Sequence, residues 1–288
     1  MMSRLRTWLG RSGREWLLVL ERRFVPNPRR TVRLRNGLLL TVRLTDELAP
    51  GYVLGREFEP ETVGLLEQYL RAGDTVLDVG ANIGHLTVVA GTRVGPEGRV
   101  FAFEPSPAEF RELTRNVELN RLENTAAVPM AIVEAPGTVT LHLAGPGLGL
   151  YNSTGRPFRS EGAASVEVPA TSLDRFVAER GLSSIALVKL DVEGGECAAL
   201  RGGPRLFGGD DAPLLVCEFS DVASVATGQT TGQLWRLLTD LGYSLHSVRP
   251  VADRWRLVPA TPQAHYDYEN LVGVKKIHHE RLRLCDLM

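Results

Sequence analysis

Three carboxylates, each closing a short apolar run, are the residues of this chain best placed to do chemistry. Asp78 follows Thr75-Val76-Leu77, Glu104 follows Arg99 to Phe103, and Asp191 follows Ile185 to Leu190. An acid at the end of a buried strand can hold a cation, accept hydrogen bonds from hydroxyls, or take up a proton. Asp78 runs into Gly80-Ala81-Asn82-Ile83-Gly84 and then into Leu86, Val88 and Val89 at helical spacing. A strand that leads through a glycine turn into a helix is where open α/β sheets bind nucleotide-like ligands. The dinucleotide fingerprint needs a middle glycine so that the backbone can approach a pyrophosphate. Asn82 stands there instead, and the Asp78 carboxylate would repel a pyrophosphate. It suits a ligand with an ammonium and a sulfonium and no phosphate, such as S-adenosylmethionine. Glu104, 24 residues after Gly80, lies near the offset at which an acid accepts hydrogen bonds from a ribose diol. An NAD-dependent oxidoreductase is the weaker reading of the same turn.

The strings VLDVGANIGHLT, VFAFEPSPAEFRELTRNVELN and VKLDVEGGECAALRGG resemble the signature blocks of FkbM-type S-adenosylmethionine-dependent methyltransferases. The resemblance runs from about Glu59 to Val274. It implies an α/β fold with the Rossmann-like, doubly wound, seven-stranded sheet of class I methyltransferases. It also implies methyl transfer, usually to an oxygen of a sugar, glycan or natural product. Carried onto this chain, it sets Asp78, Gly80, Ala81, Asn82, Gly84, Glu104, Pro105, Ser106 and Asp191 against the cofactor. The third strand, near Ala126 to Met130, brings Met130 and Ala131 to the adenine. The chain departs from the family at Cys197-Ala198, where a bulky aliphatic pair is commoner, and at His85, where an aromatic is common.

Lys189 lies within the buried run and is expensive there unless paired. Strand alternation puts Ile185, Leu187, Lys189 and Asp191 on one face, so Asp191 is the expected partner. Either this pair fixes the end of the strand, or Asp191 stands beside the transferred methyl; the resemblance favours the second. The candidate bases are Asp191, Glu193 and His85, with Asp191 preferred and Lys189 setting its charge and position. Asp191, Glu193 and Glu218 are also oxygen ligands of the kind magnesium prefers. A metal-free site is the preferred expectation. A non-catalytic protein that keeps the fold but not the chemistry is a further alternative, against which the acids at 191 and 193 argue.

At 288 residues, 43% hydrophobic and 23% charged, the chain suits one sizeable soluble α/β domain with an N-terminal appendage. The expected division is 1–58 as a helix and β-hairpin extension, 59–276 as the cofactor domain and 277–288 as a charged tail. Net charge is −1, but residues 1–35 hold ten arginines against Glu15 and Glu21, which leaves the remainder acidic and a poor match for nucleic acid. Three cysteines without C-x-x-C spacing point away from a disulfide framework and fit a cytoplasmic protein. No apolar run approaches the roughly 18 residues of a membrane span. The five-residue core Trp16–Leu20 is too short for a signal peptide.

In chain order, residues 4–22 read as an amphipathic helix docked on its own domain, with peripheral contact to a membrane surface as the alternative. Thr31 to Arg43 reads as a hairpin about a primed Asn36-Gly37 turn. Pro60 opens a helix that Glu59 is expected to cap, with a reach to the cofactor as the alternative. Pro105 and Pro107 start another, on which Asn116 and Asn120 match family asparagines but otherwise read as surface residues. Residues 144–164, with Tyr151 and Phe158 in a polar setting, read as a substrate lid, with a mobile insertion as the alternative. Thr171 is expected to cap the next helix, and Asn270 to Lys275 to form an antiparallel edge strand. His278-His279 offers no credible metal site. The acceptor, a small molecule or glycan, is not named by any residue, and the oligomeric state stays open.

Overall fold

The computed structural model describes residues 24–26, 28–156 and 164–288. The helix expected over 4–22 and Phe158 of the expected lid lie outside them. The chain enters through a hairpin, β1 (Arg29–Arg33) and β2 (Leu39–Arg43), and a short helix α1 (Ala49–Val53). Only Gly37 of the Asn36-Gly37 pair has a positive φ, so the connection is a wider loop and not the primed turn expected. Helix α2 (Pro60–Tyr69) then leads into β3 (Thr75–Val79), α3 (His85–Val94), β4 (Arg99–Phe103), α4 (Pro107–Leu119) and β5 (Thr125–Val128). A small second sheet follows: β6 (Ala131–Ile132), β7 (Gly137–Leu143) and β8 (Ala164–Thr171), in the order β6-β8-β7.

Helix α5 (Leu173–Glu179) is capped by the Ser172 hydroxyl, which accepts from Arg175 N–H, and not by Thr171. The main sheet resumes with β9 (Leu187–Leu190), followed by α6 (Glu196–Arg201), α7 (Pro204–Gly208) and β10 (Leu214–Phe219). Helices α8 (Asp221–Ala226) and α9 (Thr231–Asp240) precede β11 (Ser244–Val251), β12 (Arg254–Pro259) and β13 (Glu269–Val274). The last helix is α10 (His279–Leu284).

The main sheet has the order β12-β11-β13-β10-β9-β3-β4-β5. Pairing is parallel from β5 through β10. Four of these five strands, β3, β4, β9 and β10, are short, apolar and almost wholly buried, as parallel strands covered on both faces must be, while the edge strand β5 is half-buried. The doubly wound α/β architecture is therefore present, with two differences from expectation. The sheet has eight strands, because Arg254–Pro259 folds back on β11 as an added edge. The antiparallel strand β13 is internal, hydrogen-bonded to β10 on one side and β11 on the other. Its alternating pattern reflects burial between two strands and not an exposed edge.

One face of the sheet buries Leu77, Val79, Phe101, Phe103, Val188 and Leu190 against Leu173, Phe176 and Leu200. The other buries Val76, Val100, Leu187 and Leu214 against Leu65, Leu66, Val89 and Leu282. Ile185 packs with the first set, before the strand begins, so it does not share a face with Leu187 as expected. Segment 277–288 carries charge but also buries Leu282 and Leu287 completely, and Arg281 pairs with Asp74 and lies 4.3 Å over the Tyr69 ring. His278 accepts from Lys275 N–H through Nδ1 and faces the Ala212 carbonyl through Nε2, so both nitrogens are used by the protein.

The hairpin is fixed to α4 by amide side chains. Asn116, fully buried, accepts from Thr41 N–H at 2.7 Å and donates to the carbonyls of Thr41 and Ile83. Asn120 makes the same exchange with the backbone of Leu39. Four residues apart on one helix face, they extend the sheet-like pairing of β2 onto a helix. Arg29 and Arg43 reach Glu112 and Glu109 beside them.

Candidate functional site

The register of the parallel strands puts their carboxyl ends level: Val79 lies opposite both Phe103 and Leu190, and Leu190 opposite Cys217. The residues that follow, on β3, β4, β9 and β10, therefore meet at one edge of the sheet. They line a cavity of about 440 Å³.

The turn after β3 carries three left-handed residues, Gly80 (φ 85°), Asn82 (φ 49°) and Gly84 (φ 86°). Asparagine is one of the few side chains that adopts this conformation readily. Each N–H of the turn has an internal acceptor. Those of Gly80 and Ala81 donate to the Phe103 carbonyl, that of Asn82 to Glu104 Oε2, that of Ile83 to Asn82 Oδ1, and that of Gly84 to the Ala81 carbonyl. What faces the cavity from this turn is carboxylate chemistry, not a cradle of free N–H groups.

Glu104 holds its carboxylate between Ser106 N–H and Asn82 N–H, both at 2.8 Å. Burial, with Glu109 nearby, pushes its pKa up to about 8 even though both N–H groups favour the charged form. Phe103, Met130, Ala131 and Ile132 form an apolar wall beside it. Asp78, buried and on the sheet face of Lys189, accepts from the Thr87 hydroxyl at 2.5 Å through Oδ2. Its Oδ1 is buried with no hydrogen-bond partner.

Lys189 donates to Asp191 Oδ2, the pairing expected from the sequence. Burial opposes the charge on Lys189, but Asp191, Glu59 and Asp78 together hold its pKa above the ordinary lysine value. Glu59 differs from expectation. It sits at the start of α2 with φ 47° and makes no side-chain cap; its carboxylate enters the cavity and accepts from Asn270 Nδ2 at 2.9 Å. Burial pushes its pKa up to about 7 against the pull of Lys189. Glu193 and Glu218 are both driven well above the usual carboxylate range by burial and by the Asp191 charge.

His85 is buried at the first position of α3, where Nδ1 meets the Tyr52 hydroxyl at 2.9 Å. Burial and Lys189 lower its pKa to about 4, so it is neutral at pH 7. Nε2 has no partner. The described part of segment 144–164 covers the cavity with Leu150, Tyr151 and Thr154, tied down by the Ser153 hydroxyl on the Glu193 carbonyl.

Of the residues expected at the site, Asp78, Gly80, Ala81, Asn82, His85, Glu104, Pro105, Met130, Ala131, Lys189, Asp191 and Glu193 all line this cavity. Gly84 and Ser106 do not. Gly84 turns the chain against Leu113, whose Cδ1 would lie 2.7 Å from an added Cβ, and Ser106 supports Glu104 from behind. Tyr52, Asn270 and Tyr268 line it without having been expected. Only the pairing of Asn270 with Glu218 across β10 and β13 could have signalled one of them, and it follows from a strand position the sequence does not reveal.

The profile of the family described as "Methyltransferase FkbM domain" matches residues 78–245. Methyltransferase sdnD of Sordaria araneosa is 30% identical over 154 residues, covering 44% of this chain and 59% of that protein. Hexuronic acid methyltransferase AglP of Haloferax volcanii is 30% identical over 156 residues, covering 50% and 56%. The 31-O-demethyl-FK506 methyltransferase FkbM of Streptomyces tacrolimicus is 28% identical over 158 residues, covering 46% and 60%. The chain thus spans less than two thirds of the length of each.

Proposed function

The chain belongs to the FkbM methyltransferase family, and from that premise we propose that it moves a methyl group from S-adenosylmethionine to a hydroxyl of a sugar, glycan or natural product. The observation that carries this reading is the turn after β3. Its N–H groups are spent internally, while the buried Asp78 Oδ1 beside it lacks a partner. A pyrophosphate needs the reverse arrangement; a cationic nucleoside needs this one. That disposes against a nicotinamide dinucleotide.

S-adenosylmethionine supplies an electrophilic methyl on a sulfonium, which an acceptor oxygen displaces in line. Glu104, fixed by two backbone donors, is set to accept from ribose hydroxyls. The wall of Phe103, Met130 and Ile132 suits the adenine. Asp78 balances the ammonium. Asp191, held through Oδ2 by Lys189, is the base for the acceptor proton, worth about 10²–10⁴-fold in rate. Positioning of acceptor against donor supplies roughly 7–11 kcal/mol more. His85, buried and neutral with Nδ1 at the Tyr52 hydroxyl, serves as a wall of the acceptor side with Tyr52.

An acceptor that is a sugar or natural product is supported by the relative named for a hexuronic acid, and transfer to oxygen by the relative named for a 31-O-demethyl compound. Three unpaired cysteines, Cys197, Cys217 and Cys285, fit a cytoplasmic setting. Among the described residues no helix is long and apolar enough to cross a membrane.

Thermal unfolding with S-adenosylmethionine, S-adenosylhomocysteine and NAD in parallel tests the reading. A ligand at 100 times its dissociation constant raises the midpoint by about 5–10 °C in a domain of this size. The two adenosyl ligands should do so and NAD should not, and Glu104→Ala should abolish the rise. A rise with NAD alone refutes the assignment.

A further inference from the structure

We propose that Asp191, Glu193 and Glu218 bind a hard divalent cation, of the Mg²⁺ or Mn²⁺ kind, at the acceptor end of the cavity. The cation's use, though not its binding, rests on the methyl-transfer reading above.

Each of the three residues offers a carboxylate oxygen, and these oxygens all lie within 4.8 Å of one another. Oxygens bound to one ion at about 2.1–2.4 Å are about 3.0–3.4 Å apart when adjacent and about 4.2–4.8 Å apart when opposite, so three within 4.8 Å of one another can close on one ion with small side-chain adjustments. The fold makes the grouping. Asp191 and Glu218 follow or end the neighbouring parallel strands β9 and β10, and Glu193 is turned back towards them by a left-handed backbone (φ 53°).

Proximity of acids does not by itself make a site; two buried oxygens point to a ligand. Glu218 is 8% exposed, and its Oε2 has no hydrogen-bond partner. Directly across the strand pair stands Asn270, whose Oδ1 is also buried and without a partner. The orientation of that amide is set by its other end: Nδ2 donates to Glu59 Oε2 at 2.9 Å and faces the Thr62 hydroxyl at 3.4 Å. A flip would turn the oxygen onto the Glu59 carboxylate. Glu218 and Asn270, opposite each other in an antiparallel pair, share a sheet face and both line the cavity. Two acceptors that buried, without donors, are costly to the fold unless something positive meets them.

Among the described residues, no side chain donates to either oxygen. Lys189 is the cation of this region and donates to Asp191, with Glu59 and Asp78 also drawing on its charge. Among the described residues, no ion pair reaches Glu193 or Glu218. A divalent ion supplies the missing charge, and three or four protein oxygens leave coordination positions for water or for acceptor hydroxyls. An acceptor with two neighbouring hydroxyls is the class such an ion holds best. Asp191 then serves the acceptor oxygen through the ion as well as directly, so the decisive variants are placed at the other two ligands.

The test uses the full chain, stripped with EDTA and desalted, and titrated with Mn²⁺ while the electron paramagnetic resonance signal of the free ion is followed. Wild type should remove one Mn²⁺ per chain from solution, in competition with Mg²⁺. Glu218→Gln and Glu193→Gln should each weaken binding at least tenfold. The rise in unfolding midpoint with S-adenosylhomocysteine, measured on the same samples, shows whether the variants keep the fold. Wild type that responds to S-adenosylhomocysteine but leaves Mn²⁺ free overturns the cation site and leaves the methyl-transfer reading standing. Equal Mn²⁺ binding in wild type and both variants also overturns it. Binding that depends on Glu218, in a protein indifferent to S-adenosylhomocysteine, upholds the site and removes the methyl-transfer reading.

Discussion

A Cβ placed on Gly80 would stand 1.6 Å from the carbonyl oxygen of Asp191. The turn that follows β3 is therefore laid directly on the backbone that follows β9. Parallel pairing of Asp78 with Lys189 and Val79 with Leu190 brings the two together, and the bare Cα lets them touch.

Gly80→Ala must push those strand ends apart. It also places a side chain at φ 85°, in the left-handed region. Overpacking and the backbone penalty together are worth roughly 2–5 kcal/mol. Gly37→Ala is the control: its φ is 87°, but nothing lies within 4 Å of the added Cβ, so only about 1–2 kcal/mol should be lost. Urea denaturation of both variants separates the contributions. Equal losses would mean that this contact is soft.

Glu104 is expected to make donor binding pH-dependent. Ribose hydroxyls that donate to it favour its charged form, whereas burial holds its pKa at about 8 in the free protein. Binding below pH 8 must therefore expel a proton, and affinity for S-adenosylhomocysteine should rise by up to tenfold per unit between pH 6 and 8. Calorimetry in two buffers of different ionisation enthalpy reads the released proton. Glu104→Gln should bind more weakly and lose the dependence; a flat profile in wild type would contradict the role.

Stability of the free protein should run the other way. Glu59 and Glu196 at about 7, and Glu104 at about 8, have folded values above their unfolded ones. Their contribution is present in full below about pH 4.3 and is lost as pH rises through 7 and 8. His85, lowered to about 4, contributes stability that is present above about pH 6.5 and lost as pH falls towards 4. Across pH 6 to 8.5 these carboxyls, with Glu193 and Glu218 raised in the same direction, outweigh His85, so the unfolding midpoint should be lower at pH 8.5 than at pH 6. A midpoint that climbs over that range would show that these acids are already ionised in the fold.

The parts of the site legible in the sequence are those built from one strand and the turn after it. Asp78, Gly80, Glu104 and Asp191 fall at strand ends whose apolar runs and glycines are local signals, and Lys189 advertises its partner by being a lysine in a buried run. The unread parts reach in from elsewhere in the chain. Tyr52 arrives on a helix held by the hairpin, and Asn270 arrives on a strand that the alternation of ENLVGV misplaces at the edge. Glu59 reads as a cap because it precedes Pro60; only its left-handed backbone sends the carboxylate into the cavity. Asn116 reads as surface because nothing local reveals that a hairpin some 75 residues earlier will cover it.

Lys189→Met tests the charge balance of the whole site. The ammonium is buried among Asp191, Glu59 and Asp78, and removal of one partner from a buried ion cluster costs about 3–5 kcal/mol, because the remaining charges are left without compensation. At pH 5 Glu59 is already largely protonated in wild type, and the other acids can take up protons to relieve the loss. The penalty should therefore be larger at pH 8 than at pH 5, which equilibrium denaturation at the two values can measure. The variant should also change its preference between ligands. S-adenosylmethionine carries the sulfonium charge that S-adenosylhomocysteine lacks, so a site short of one cation should favour the methyl donor more strongly than wild type does. Titration calorimetry with both ligands gives that ratio directly. A ratio that stays at the wild-type value, in a variant that still folds, would mean that Lys189 neutralises Asp191 locally and that its charge is not felt where the donor binds.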